Sequence, residues 1–577
     1  MDEDIRERAR EQAEINALFN ALKHESEAKV GAIMGPLMGD NPEFREYGDE
    51  LAGVVAPVVE KVNGMDYTER RERLAELAPE RLAELDSEEE EDDEALPDLP
   101  NADASDEVRL RVAPNPNGPW HIGHARMAAV VGTYKERYDG AFICRFDDTD
   151  PETSRPDLDA YDAILEDIAY LGFEPDDVLR ASDRLETYYE HARTLIDEGG
   201  AYTCSCPGEE FSELKNAGEP CPHRDKDRET VHAEFDRLVD GDYNEGEMVL
   251  RVKTDIEHKN PALRDWVAFR IIETPHPREE AAGYRCWPML DFQSGVDDHL
   301  TGVTHIIRGI DLQDSARRQQ FVYDYFGWEY PEVIHWGHVQ VDEYDLPLST
   351  STLREKIEAG ELDGWDDPRA PTVANLRKRG IRGEAVVRAM VDLGTSTSNV
   401  DLSMSSVYAH NRDLVDDETD RAFLVRDDAD HGGGAVEKQV VGGPDAGERP
   451  FHPDHEERGT RRIPVGGNVR LETSDVPARG EQVWLMGYGC VRHTHDALEF
   501  VTDDASARRE GDHDFVHWVP AVESVETRLR TPEGDIPGYA EPSVTDSEPD
   551  DLLQFERVGF ARLDEFAEEL VAYFAHP

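Results

Sequence analysis

A strand pattern that runs into prolines and glycines, and then into a helix, constrains this chain more than any other stretch. Val108 to Val112 alternates apolar and charged residues with the period of a strand. Pro114, Pro116, Gly118 and Pro119 then break regular structure, so the strand must end in a stiff loop. From His121 onward, Ala125, Met127, Ala128, Ala129 and Val130 read as a helix, which predicts a strand-loop-helix unit of an α/β domain. His121 and His124 then fall on the first helical turn, where backbone N–H groups and the positive end of the dipole favour phosphate. Spaced three apart, the two imidazoles share one face, reach a single triphosphate and can donate hydrogen bonds to a developing phosphorane. Gly123 between them would let a ligand approach the backbone. The four letters His121-Ile122-Gly123-His124 alone also describe a solvated helix start, so their meaning depends on motifs elsewhere.

Three further stretches follow in order. Ala141 to Cys144 reads as a second strand ending in Arg145-Phe146-Asp147-Asp148-Thr149-Asp150-Pro151. Acids at a strand's carboxyl end project into the crevice where α/β sheets bind ligands, although an acidic turn is the bland alternative. Asp297 to Gly309 reads as a strand-like run, with helical spacing from Asp311 to Phe321. Leu348-Ser349-Thr350-Ser351 precedes Gly364-Trp365-Asp366-Asp367-Pro368-Arg369 and Arg377-Lys378-Arg379-Gly380-Ile381.

Together these stretches resemble the class I aminoacyl-tRNA synthetases, and the Pro-x-Pro-x-Gly prefix resembles their glutamate and glutamine members. The similarity runs from about Val108 to the carboxyl end and is identified with the archaeal-type glutamate–tRNA ligases. It implies an ATP site of Pro114, Asn115, Pro116, Gly118, His121, Gly123, His124, Ser349, Thr350 and Ser351, with His121 and His124 as catalytic groups on the phosphates. It also implies that Arg111, Asp147 and Arg308 contact the amino acid, Asp147 pairing with its amino group. Glutamate enzymes carry arginine at the position of Arg308, and glutamine enzymes carry a smaller neutral residue. A guanidinium gives a carboxylate two charge-assisted hydrogen bonds but leaves an amide's donors unanswered. Arg308 therefore argues for glutamate, whereas Arg111 occurs in both branches. Two departures stand out. Leu290 replaces a frequent tyrosine in Trp287-Pro288-Met289-Leu290-Asp291-Phe292. Pro347 and Thr350 stand where the family's mobile loop carries lysines, leaving Arg354, Lys356 or Mg2+ to screen the β and γ phosphates.

The implied reaction joins the carboxylate of L-glutamate to the α-phosphorus of ATP, and then passes the glutamyl group to the terminal 2′-hydroxyl of tRNA(Glu). The glutamine tRNA is a second candidate acceptor, and adenylate formation is expected to need bound tRNA. Positioning and charge stabilisation suffice, with Mg2+ bridging the phosphates and no protein nucleophile. Two alternatives remain open: a glutamine–tRNA ligase, and a non-catalytic tRNA- or nucleotide-binding relative with a decayed loop.

With 61 basic against 128 acidic residues, the formal charge is -67. Such a balance usually signals disorder, but here the acids are spread among regularly patterned apolar residues. A folded protein with a surface made for molar salt is expected, in the cytoplasm of a salt-accumulating archaeon. Salt weakens counterion-driven binding of a polyanion, so tRNA recognition should lean on base contacts, stacking and shape. Arg377, Lys378, Arg379 and Arg382, and also Arg317 with Arg318, are candidate RNA contacts against the alternative of solvated helix faces. The acidic amino terminus and the lack of a ~20-residue apolar run predict neither signal peptide nor membrane span. DNA is not an expected partner.

Six cysteines are too few for a disulfide framework. Cys204-Ser205-Cys206 and Cys221-Pro222-His223 nevertheless present four ligands on two short knuckles, suited to a structural tetrahedral Zn2+, with idle buried thiols as the alternative. Residues 1–84 read as a helical module (Ile15, Leu18, Phe19, Leu22) and 85–104 as an acidic linker. Residues 105–200 and 290–345 are the expected halves of a split Rossmann-type catalytic domain. Between them, 201–289 is an insertion that by resemblance grips the acceptor end of tRNA. Residues 346–412 read as the mobile loop and a helical connector (Val386, Val387, Met390, Val391) closed by Asn411. From 413 to 577, short strands such as Arg421 to Val425, Gln439 to Val441, Gln482 to Met486, Phe515 to Val519 and Val558 to Ala561 suggest β-barrels that by resemblance read the anticodon. Asp564 to Phe574 looks like a closing amphipathic helix.

Overall fold

The computed structural model describes residues 3–23, 28–30, 33–34, 37, 47–65, 67–79, 81–82, 96–341, 343–504 and 514–577. Most of the acidic linker, residues 85–95, therefore lies outside the described residues. Two compact units, 1–97 and 98–577, are each described by themselves. In the first, helices α1 (Glu3–Lys23), α2 (Gly48–Asn63) and α3 (Tyr67–Leu77) bury Leu18 and Leu22 in a core with Leu51, Val55 and Leu74. The buried Glu14 joins them by accepting from Lys61 at 2.8 Å and Arg73 at 2.9 Å.

The second unit is built on five parallel strands in the order β3-β2-β1-β8-β9. β1 (Arg109–Val112) is followed by α4 (Ile122–Tyr138), β2 (Ala141–Phe146), α5 (Leu158–Tyr170), β3 (Asp177–Arg180) and α6 (Leu185–Asp197). All six residues of β2 are buried, as expected of a central parallel strand covered on both faces. The chain then leaves for an antiparallel sheet, β4 (Ala201–Cys204), β5 (Val249–Val252), β6 (Val267–Ile271) and β7 (Cys286–Pro288), with α7 (Gly208–Ala217) and α8 (Arg228–Val239) between its first two strands. It returns through α9 (Leu290–Leu300), β8 (His305–Gly309), α10 (Gln313–Phe326) and β9 (Glu332–Trp336). Successive strands run outward from β1 in one direction and from β8 in the other. A crevice must open between those two carboxyl ends, where α/β sheets hold their ligands.

Asp297 and Asp298 were expected within a strand-like run and lie instead on the last turns of α9. Phe292 and Val296, one helical turn apart, are fully buried there, and Gly302 at φ 68° stops the helix. Both acids are tolerated inside because each finds partners; Asp297 accepts from Arg184 at 2.7 Å and Tyr188 at 2.6 Å.

β10 (Val339–Val341) pairs with β11 (Val400–Leu402), and between them lie α11 (Thr350–Glu358), α12 (Val373–Lys378) and α13 (Gly383–Asp392). Asn411 does not close the connector: α14 (Met404–Val415) continues past it. Its side chain is buried, accepting from the Arg382 amide at 2.7 Å and meeting His576 at 2.9 Å. Beyond α14, Asp420–Ala422 and Leu424–Arg426 enter a seven-stranded sheet. The chain departs to build a second seven-stranded sheet within 435–520, and returns for five more strands between Val525 and His576.

The expected closing helix from Asp564 to Phe574 is instead a hairpin of Gly559–Phe566 and Leu570–His576. Both faces of its second strand are covered, so the apolar run loses the alternation that marks a strand. One covering group is Arg379, expected on tRNA but fully buried. Its guanidinium donates to the Phe574 carbonyl at 2.8 Å, the Ala575 carbonyl at 2.6 Å, and the hydroxyls of Tyr344 and Tyr408, each at 2.9 Å. Arg379 therefore clamps the connector to the last strand. Replacing it by methionine strands these acceptors, and denaturant unfolding in molar KCl should show a loss of roughly 3–5 kcal/mol.

Candidate active site

The strand ends converge on two neighbouring cavities. The larger, of about 410 Å³, is lined by Arg111 at the end of β1, Arg145 and Asp147 after β2, Ser294 of α9 and Arg308 near the end of β8, with Leu290 at its wall. The smaller, of about 310 Å³, is lined by Pro114, Asn115, Trp120, His121, His124, Ser349, Thr350 and Ser351. Asn115 and Met127 belong to both walls, so a ligand can span them.

Asp298 organises the larger cavity. Arg111 donates to both of its oxygens, at 3.0 and 3.1 Å, and Arg145 donates to Oδ1 at 2.6 Å. Burial alone would raise this carboxyl, but Arg111 and Arg145 outweigh it and hold Asp298 well below the usual carboxylate range. Arg145 also donates Nε–H to Asp147 Oδ1 at 2.7 Å, and Gln293 donates to the same oxygen at 2.8 Å. Asp147 Oδ2 keeps a 3.4 Å contact with Arg145 and is the less occupied oxygen. Arg308 stands 3.8 Å from Asp298, and its Nε–H has no hydrogen-bond partner among the described residues. Burial first, and Arg111 second, push this guanidinium below its ordinary value. The cavity thus holds a buried cation short of counter-charge. The departure Leu290 leaves that side chain 41% exposed, so it shapes the rim of the cavity without closing it.

In the smaller cavity, His121 is the N-cap of α4 and His124 lies on its first turn. Their rings stack with centroids 3.6 Å apart. Each Nδ1 is buried without a partner among the described residues. Burial lowers His121 to about 4 and takes His124 well below its usual value, so both rings are neutral near pH 7. Pro116, Gly118 and Gly123 do not line the cavity. A Cβ at Gly118 would lie 2.4 Å from Thr350, and one at Gly123 would lie 3.2 Å from the His121 ring and 3.3 Å from Leu348. Room at Gly123 is therefore taken by protein, while Gly118 allows the 349–351 segment to seat on the loop. That segment is the start of α11, capped by Ser349 through the Thr352 amide. Two helix N-termini thus meet at one cavity. Arg354, expected as a substitute cation, donates to Asp157 at 2.6 Å and to the Asn117 carbonyl at 2.5 Å; Lys356 pairs with Glu361 at 2.6 Å. Both are engaged by the protein's own acceptors and neither lines the cavity.

In the inserted sheet, Cys204 at the end of β4, Cys206, Cys221 and His223 place four ligand atoms within 4.8 Å of one another. The Cys204–Cys221 sulfur separation is 3.7 Å, and His223 Nδ1 lies 3.3 Å from Cys206 Sγ. These spacings suit a tetrahedral ion at ~2.3 Å from sulfur, and Ser205 at 3.2 Å from His223 Nε2 would orient the ring. The four residues therefore fit zinc. Among the candidate RNA contacts, Lys378 pairs with Asp564 at 2.7 Å and Arg318 with Asp291 at 2.7 Å. Arg377, Arg382 and Arg317 are more exposed, each at 3.3 to 3.5 Å from one acid.

A family described as tRNA synthetases class I (E and Q), catalytic domain, matches residues 107–417, and anticodon-binding domains of the same group match 420–505 and 515–564. The chain belongs to the class I tRNA synthetases of this group. It is 72% identical to the glutamate–tRNA ligase of Haloarcula marismortui and 66% identical to that of Halobacterium salinarum, each over the full length of both chains. The glutamate–tRNA ligase of Methanothrix thermoacetophila is 44% identical over 96% of each chain. No helix among the described residues is long and apolar enough to cross a membrane.

The motif-based reading of this synthetase missed Asp298 as the cavity's organiser, and with it Arg145, Gln293 and Ser294. A signal existed: an arginine inside the apolar run Ala141–Phe146 must find buried acids. It missed Asp167 as well, whose Oδ2 accepts from the Trp120 amide at 3.1 Å and holds the loop ahead of His121. Burial raises the Asp167 carboxyl to about 7. A raised folded-state value means that its contribution to stability is present below about pH 4 and lost as pH rises through 7. Asp167→Asn should therefore raise the unfolding midpoint at pH 8 and leave it little changed at pH 4.5, as followed by thermal melts in molar KCl.

Proposed function

We propose that this chain is a glutamate–tRNA ligase that activates L-glutamate with ATP and transfers it to the 3′ end of tRNA(Glu). The observation that carries the reading is Arg308, a buried guanidinium facing the larger cavity with an unanswered Nε–H. A side-chain carboxylate supplies both the missing charge and the missing acceptor, whereas the amide of glutamine supplies no charge. The substrate ammonium pairs with Asp147 Oδ2, and the α-carboxylate points toward Asn115, where the two cavities join. ATP lies across that junction with its phosphates in the smaller cavity.

The carboxylate then attacks the α-phosphorus, forming glutamyl-adenylate and releasing pyrophosphate, and the tRNA hydroxyl displaces AMP. The protein's part is positioning and charge stabilisation. Neutral His121 and His124 donate N–H groups to phosphate oxygens, and their low proton affinity keeps them from exchanging protons with the substrate at neutral pH. Where the family has lysines, the N-terminus of α11 with Ser349 and Ser351 offers donors and a positive dipole end. Mg2+ carried with ATP supplies the remaining screening of the phosphates. A structural Zn2+ held by Cys204, Cys206, Cys221 and His223 would brace the insertion that receives the acceptor end of tRNA. The more exposed Arg377 and Arg382 would contact its backbone, and the carboxyl-terminal sheets would read the anticodon. We extend the proposal to tRNA(Gln) as a second acceptor and to a cytoplasmic setting at molar salt.

Aminoacylation in molar KCl, with glutamate or glutamine and with tRNA present or omitted, tests the reading; charging with glutamine in preference to glutamate overturns it. His124→Ala should lower kcat by about 100-fold with the glutamate KM little changed, as expected for donors that act on developing charge. For the metal, purified protein should carry one zinc per chain, and chelation should expose the insertion to proteolysis; protein that folds and charges tRNA without metal sinks that assignment.

A further inference from the structure

Gln319 of α10 is fully buried beside Arg308. Its Oε1 accepts from Arg308 Nη1 at 3.3 Å and from the Tyr330 hydroxyl at 2.6 Å, and its Nε2 donates to Ser294 Oγ at 2.5 Å. Ser294 and Arg308 both line the larger cavity, so the amide bridges two of its walls from behind. The charges there are unequal. Three guanidiniums, of Arg111, Arg145 and Arg308, face two carboxylates, of Asp147 and Asp298. The other ionised groups nearby are matched in pairs: Arg270 with Asp150, Arg318 with Asp291, and Arg184 with Asp297. Arg308 is the cation left over, and the one polar side chain hydrogen-bonded to it among the described residues is neutral.

We propose that Gln319 is a positioning residue that sets the pocket's preference for an acidic side chain, because it orients Arg308 by hydrogen bonding without neutralising it. An amide and a carboxylate have the same shape, so this one position decides whether the pocket carries surplus positive charge. A glutamate at 319 would keep both bonds to its oxygen, let Ser294 donate in return, and pair with Arg308 before any substrate arrives. The pocket would then have no call for a second anion. The inference rests on the larger cavity being the glutamate site.

Four variants in the tRNA-charging assay test it. In Gln319→Glu, the glutamate KM should rise by about tenfold or more with kcat and the ATP KM within a few-fold, and the ratio of kcat/KM for glutamate over glutamine should fall by a similar factor. Gln319→Met removes the hydrogen bonds but keeps the charge, so the glutamate KM should rise modestly and the ratio should hold. Gln319→Glu within about twofold of the parent in both quantities overturns the proposal, and so does a Gln319→Met ratio as low as that of Gln319→Glu. Should Gln319→Glu fail to fold, Tyr330→Phe decides: freeing the Gln319 oxygen should raise the glutamate KM with kcat unchanged, and an unchanged KM overturns the proposal. Arg308→Ala separates the two layers. If it leaves the glutamate KM unchanged, the cavity assignment itself fails; if it raises KM while Gln319→Glu does not, the role of Gln319 alone fails.

Discussion

Asp298 lies beneath the larger cavity with no exposed surface, and Arg111 and Arg145 reach it from two adjacent parallel strands. A buried carboxylate is costly unless its lone pairs and its charge are both answered, and here two guanidiniums do so. Because Asp298 is thereby satisfied, Arg308 stands close to it without being captured. The strand ends cannot spread, since each delivers one member of this network. A single acid on α9 thus gathers the three guanidiniums around the cavity.

The phosphate side depends on a different constraint. The loop before α4 is held by main-chain hydrogen bonds from Asp147 to Pro114, Asp157 to Pro116 and Ile122 to Pro371, at 3.0, 2.8 and 2.9 Å. Proline removes the donors that would let this loop join the sheet, so its carbonyls serve as acceptors for neighbouring segments. The result is a rigid platform on which two stacked imidazoles wait in neutral form. Neutral N–H donors and helix ends placed there stabilise charge developing on the phosphates without taking up or losing a proton near pH 7. That is a physical rationale for a site that keeps its histidines while its loop carries no lysine at Pro347 or Thr350.

High acidity shaped where arginine is used. With -67 formal charges, most of the basic residues that carry structure are paired or buried, as Arg379, Arg461 and Arg145 are. A basic cluster read along the chain therefore overstates its availability to RNA. Of Arg377-Lys378-Arg379, one member is a buried clamp and one is tied to Asp564, leaving Arg377 as the more exposed. Linear proximity of charge says little when alternate side chains of one turn face opposite surroundings.

What the amino-acid sequence determined by itself was the local punctuation and the chemistry that rides on it. The strand before Pro114, the helix starting at His121, the acids after β2, the knuckles at Cys204 and Cys221, and the change to short strands beyond residue 412 were all legible, because period and turn residues act over a few positions. Only the tertiary structure decided which of those residues face one another. It placed Asp297 and Asp298 on a helix, turned Asp564 to Phe574 into part of a hairpin, buried Arg379, and set a neutral Gln319 against Arg308. Each of these outcomes is fixed by partners distant in the chain, and a buried polar group takes its role from the partner that satisfies it.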